Sequence, residues 1–105
     1  MSEAVLPAAV PTPVGAVAVL YVTDHTFEDF GHTDLRQRHI LIKSGMHADV
    51  QWMTLYHEWL HVILWDHGVE LDEDREERVC NALAHAMVAL GRAGRSLPGP
   101  GPDEG

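Results

Sequence analysis

The chain has a single cysteine, Cys80, in 105 residues, so no disulfide can form within it. Cations are scarce as well: 7 Lys and Arg stand against 16 Asp and Glu, for a formal net charge of −9. Without a basic cluster there is no footprint for a phosphate backbone, which argues against nucleic acid as a partner. No apolar run approaches the roughly 20 residues that a membrane span needs. Nor does the N-terminus carry a basic stretch, an apolar core and a small-residue cleavage site, so no secretory signal is read there. A free cysteine and no export signal lead us to expect a cytoplasmic location.

Both ends lack a folding pattern. Residues 1–14 hold three prolines and no polar–apolar period, and residues 91–105 are dominated by Gly and Pro. Both read as disordered tails, because such segments bury too little surface to offset the entropy of ordering. Residues 15–90 remain as one domain. Domains of about 60–80 residues bury only about 60% of their unfolded surface and are marginal without a staple. With a disulfide excluded, a bound metal is the staple still available.

Within that unit, residues 15–22 (GAVAVLYV) form an apolar, Val-rich run that predicts a buried strand. Residues 23–34 are polar and turn-forming and read as a loop. Residues 38–43 (RHILIK) predict a second strand ending at Ser44-Gly45. Part of 33–37 is a further candidate for the sheet. A helix is expected from Asp49, as N-cap, to Asp66. Trp52, Leu55, Trp59, Val62 and Ile63 recur there at three- and four-residue steps, and Gly68 follows as a stop. A second helix opens at Asp72 with an acidic first turn, shows an apolar face of Val79, Cys80, Leu83, Ala84, Met87 and Leu90, and ends at Gly91. The short loop 68–71 makes the helices antiparallel. The expected fold class is α+β, a small sheet packed against two antiparallel helices.

The first helix carries His57-Glu58-Trp59-Leu60-His61. Residues four apart on a helix lie about 40° from each other and about 6 Å along the axis. His57 and His61 therefore face the same way, at the spacing two imidazoles need to hold one tetrahedral zinc. Glu58 lies about 100° from His57 and about 60° from His61, beside the metal rather than on it. From there it can take a proton from an activated water and pass it to a leaving group. This pattern points to a zinc-dependent hydrolase.

A third ligand is needed, and several residues compete. His67 completes a His57-x3-His61-x5-His67 spacing that resembles the metzincins and the bacterial rRNA-maturation endoribonucleases. Those families bend the chain with a Gly three residues after the second His, where this sequence has Leu64. If the helix runs to Asp66, His67 lies about 120° from His61 and about 9 Å further on, and misses the metal. Glu77 sits one turn before Cys80 and Leu83, the residues expected to face the first helix. Glu76 occupies an equally central wheel position, and Glu73 and Cys80 complete the field.

The stretch Glu77-Arg78-Val79-Cys80-Asn81-Ala82-Leu83-Ala84 resembles the third-ligand helix of the ImmA/IrrE-type metallopeptidases, in which a Glu precedes an Ala-Asn-x-Phe-Ala-like run. Here Cys80 stands for the Ala and Leu83 for the Phe. Residues 31–90 also look like small phage-encoded HExxH proteins. The resemblance implies a minimal zincin-like fold, zinc held by His57, His61 and Glu77, Glu58 as general base, and a peptide or protein as substrate. Two alternatives are carried forward. One is a metal-dependent endoribonuclease with a His57, His61, His67 site. The other is a non-catalytic, zinc-stapled interaction module.

The remaining residues have simpler expectations. Trp52, Trp59 and Trp65 are core or groove walls, and Cys80 is a small buried hydrophobe. His25, His32, His39, His47 and His85 are surface residues; any of them, or Tyr56, is a candidate oxyanion donor. Strand 38–43 is a candidate edge for pairing with an extended peptide.

Overall fold

The computed structural model describes residues 6–24 and 27–93. Its elements are β1 (Ala9–Thr12), β2 (Gly15–Val22), β3 (Gly31–Asp34), β4 (His39–Lys43), α1 (Ala48–Asp66) and α2 (Glu73–Arg92). The four strands form one mixed sheet in the order β1-β2-β4-β3. β1 pairs antiparallel with β2, β2 parallel with β4, and β4 antiparallel with β3. This is the expected α+β class, a mixed sheet with two helices.

The first fourteen residues are not uniformly a tail. Ala9–Thr12 is an edge strand whose Val10 is buried against the core, although residues 1–5 lie outside the described residues. Prolines are tolerated there because an edge strand leaves alternate N–H groups unpaired. Thr12 and Gly15 pair across a turn of Pro13 and Val14, and the Thr12 hydroxyl donates to the Gly15 carbonyl at 2.6 Å. At the other end, Gly91 and Arg92 still belong to α2, and residues 94–105 of the expected C-terminal tail lie outside the described residues.

Residues 31–34, expected in a loop, form β3 instead. Their polarity hides a period of two. Gly31 pairs with Ile42 and Thr33 with Ile40, both buried, so this face of β3 turns toward the helices. His32 and Asp34 fall on the other face, opposite Leu41 and His39. β4 therefore lies inside the sheet, with β3 at its edge, which removes strand 38–43 as the candidate pairing edge.

One face of the sheet, carrying Val10, Val17, Val19, Ile40 and Ile42, packs on Trp52, Leu55, Tyr56 and Val62 of α1. Tyr56 stacks against Trp59 with ring centroids 5.8 Å apart, and the Trp59 indole N–H donates to the Pro11 carbonyl at 2.8 Å, tying β1 to the helix. α1 is apolar on most sides because it is the middle layer. Among the described residues α2 packs on α1 and on no strand, and Cys80, Ala84 and Gly91 are its fully covered positions. Val79, Leu83 and Leu90, expected to face α1, are instead largely exposed. His47, not Asp49, caps α1, its Nδ1 accepting the Asp49 N–H at 3.2 Å; Asp72 caps α2 as expected. Arg92 at the end of α2 pairs with Asp49 at the start of α1, as antiparallel helices require.

The turn from β3 to β4 holds Arg38 at a φ of 58°, a conformation uncommon for a side chain with a Cβ. The guanidinium donates to both Asp66 oxygens, at 2.7 and 3.0 Å, and to the Thr12 hydroxyl at 2.8 Å. These bonds join the β1–β2 hairpin, the β3–β4 turn and the end of α1. Arg38 holds the Asp66 carboxyl below its usual value of 3.8. A depressed carboxyl contributes stability that is present above pH 3.8 and lost as pH falls through the lower folded-state value. Arg38→Ala should therefore lower the melting temperature at neutral pH. Its difference from wild type should shrink steadily in melts taken below pH 3.8. Arg38→Lys should not restore the loss, since one ammonium cannot make the forked contact.

Candidate metal centre

α1 is covered by the sheet on one side and by α2 on another, leaving a strip open between β3 and the start of α2. His57, Glu58 and His61 lie on that strip, their side chains only 14–17% exposed. The 100° step between neighbours divides their roles. The two histidines turn toward α2, whereas Glu58 turns toward β3.

His57, His61 and Glu77 each bring one ligand atom within 4.8 Å of the others. Glu77 Oε2 is 3.2 Å from His57 Nε2, Glu77 Oε1 is 2.9 Å from His61 Nε2, and the two Nε2 atoms are 3.1 Å apart. Tetrahedral zinc with bonds of about 2.0–2.1 Å separates its ligand atoms by about 3.3–3.4 Å. The two imidazole nitrogens are near that spacing, and the Glu77 carboxylate meets each of them with a different oxygen. Two imidazole nitrogens this close also need a proton or a cation between their lone pairs.

Glu76, one of the rival ligands, has a different place. Its carboxylate meets Nδ1 of His61 at 2.5 Å, on the side of the ring away from the cluster. With Nδ1 committed to Glu76, His61 presents Nε2 to Glu77 and His57. A carboxylate behind a ligating imidazole fixes its tautomer and orientation, and losing it costs about 10–100-fold in metal affinity. Glu76→Gln should thus weaken zinc binding by about tenfold or more without changing the stoichiometry, read by competition against a chelating indicator. An unchanged affinity would reduce Glu76 to a surface acid.

His67 is not in the group. α1 continues to Asp66, and His67 is its C-cap at φ −87° and ψ −1°, donating its backbone N–H to the Ile63 carbonyl. Asp66, beside it, is committed to Arg38. Cys80 is fully buried, and burial, with Glu76, Glu77 and Glu58 nearby, pushes its thiol up to about 12. It lies outside the group of converging ligand atoms, and a thiol raised by burial is a poor nucleophile. Glu73, in the first turn of α2, is also outside the group.

Sequence reasoning missed Thr33. Its hydroxyl donates to Glu58 Oε1 at 2.8 Å, leaving Oε2 at 4.0 Å from His57 Nε2. The contact needs β3 to lie close to α1, and Gly31 permits this. A Cβ there would sit 2.5 Å from Thr54 Cγ2 and 3.2 Å from Glu58 Cγ. The signal was the spacing Gly31-x-Thr33, legible only once 31–34 is read as a strand. Tyr56, a candidate oxyanion donor, is fully buried beneath the tryptophans rather than on the open strip. His47 and His85 are used locally, His47 as a cap and His85 against the Asn81 carbonyl, and His39 lies 3.7 Å from Asp34. His25 lies outside the described residues.

Among the described residues, no helix is long and apolar enough to cross a membrane. Comparison with protein-family models, with curated proteins and with solved structures gives no match. Fold and site together define the class: a small α+β domain with a His-His-Glu group at metal-binding distance and a second carboxylate beside it.

Proposed function

We propose that the domain is a zinc-dependent hydrolase of the metallopeptidase type, with His57, His61 and Glu77 as ligands and Glu58 as general base. One observation carries this reading: His57, His61 and Glu77 bring one ligand atom each within 4.8 Å of the others, while Glu58, on the same helix as the histidines, is turned to Thr33. Two imidazoles and one carboxylate are a donor set suited to zinc, and three protein ligands leave a fourth position for water or substrate. Held by these residues, zinc would supply Lewis-acid polarisation and would lower the pKa of a water toward about 7. Glu58 takes the proton from the attacking water and returns it to the leaving amine. Thr33 keeps the carboxylate aimed during both transfers, and Glu76 holds His61. The ImmA/IrrE-type likeness of residues 77–84 agrees with this assignment of roles. The three-histidine ribonuclease reading finds no such support, since His67 caps α1 and takes no part in the group.

The test is elemental analysis of untagged protein followed by a peptide-cleavage assay. One zinc per chain is expected, with hydrolysis of unstructured peptides that stops on chelation and returns on adding zinc. Bound zinc with no cleavage of any peptide would leave the stapled, non-catalytic module. No bound zinc would remove both.

A further inference from the structure

Two clefts open on either side of Glu58. One, of about 240 Å³, runs between β3 and the end of α1, with Leu35, Trp65 and Val69 as its apolar walls. The other, of about 170 Å³, lies toward the start of α1, with Phe30 and Met53. Glu58 lines both, with His61 in the first and His57 in the second, so the two clefts flank the histidine pair. Three of the five apolar residues are held open to solvent: Phe30 is 58% exposed, Trp65 65% and Val69 43%. Isolated exposed apolar residues are ordinary, but here they line the two clefts beside Glu58. Each cleft is below the roughly 300 Å³ at which small-molecule pockets begin, and is matched to a single side chain.

Resting on the hydrolase reading, we infer the class of substrate: an extended polypeptide segment with a large apolar side chain on each side of the cleaved bond. One side chain sits against Trp65, Leu35 and Val69, and the other against Phe30 and Met53. Clefts on both sides of Glu58 suit a chain interior, with a side chain on each side of the bond, rather than a terminus. Large apolar residues flanking a bond are normally inside a fold, so the substrate segment is one exposed by unfolding or lying in an unstructured stretch.

The experiment uses the zinc-loaded full chain and two hexapeptides blocked at both ends, one with Leu-Phe at its centre and one with Ser-Ser. Cleavage is followed by mass spectrometry, and binding by calorimetry with zinc-loaded Glu58→Gln. The Leu-Phe peptide should be cut between its two central residues and bound at least about tenfold more tightly, the scale on which apolar pockets discriminate. Trp65→Ala and Phe30→Ala should each reduce that preference about tenfold while leaving zinc content at the wild-type value. Equal affinity for the two peptides, or a preference that both substitutions leave intact, would overturn the inference even if both peptides are hydrolysed. Selective binding of Leu-Phe with no cleavage would uphold the apolar groove and remove the hydrolase.

Discussion

Replacing Glu58 by Gln should leave the zinc content and melting temperature at wild-type values and lower the proposed peptide hydrolysis by about 10²–10⁴-fold, the range that a positioned general base contributes. Both halves of this expectation follow from geometry. Glu58 is not one of the converging ligands, so its charge is not needed to hold the ion. Gln has the same shape, and its amide oxygen can accept from Thr33 as Oε1 does. What it lacks is a lone pair basic enough to take a proton at neutral pH. Zinc analysis, thermal melts and initial rates on one preparation check the three parts together. A zinc-loaded Gln variant that hydrolyses at the wild-type rate would show that Glu58 transfers no proton.

The second large effect concerns the ion itself. Glu77→Ala should lose stoichiometric zinc, whereas His67→Ala should keep it. Glu77 bridges the two imidazoles, one oxygen to each at 2.9 and 3.2 Å, and among the described residues no other carboxylate joins the group. Because His57 and His61 come from α1 and Glu77 from α2, an ion held by the three would fasten α2, which among the described elements packs only on α1. Metal binding to the folded state alone adds about 4 kcal/mol when free zinc is a thousand times its dissociation constant. For a domain of this size that is a rise of roughly 15–30 °C in melting temperature. A chelator should therefore depress the wild-type transition by that order and barely move that of Glu77→Ala. Loss of zinc from His67→Ala instead would put the third ligand at the end of α1 and reopen the ribonuclease reading.

Much of the fold could be read from local pattern. The Val-rich run 15–22, the strand before Ser44-Gly45, the end of α1 and the Asp72 cap stand where expected, because each depends on residues close in the chain. The errors fall where a neighbour decides. Residues 9–12 and 31–34 have little β-propensity of their own, and each becomes a strand by pairing with an apolar one. The outward face of α2 was misjudged for a related reason. Val79, Leu83 and Leu90 are apolar and helically spaced, but α2 meets only one partner, which covers a strip narrower than its apolar face.

The sequence by itself determined the two-histidine pair and the offset carboxylate, since the pitch of one helix sets the direction of His57, Glu58 and His61 whatever surrounds it. It also narrowed the third ligand to a few residues. Only the tertiary structure separated neighbours on α2, bringing Glu77 to both Nε2 atoms and Glu76 to the far nitrogen of His61. Adjacent helical residues differ by 100°, and which of them meets α1 depends on how the helices pack and rotate, a quantity that no local pattern contains. Thr33 and Gly31 belong to the same category: their place beside Glu58 is set by the order of strands in the sheet, which is decided by pairing across the whole chain.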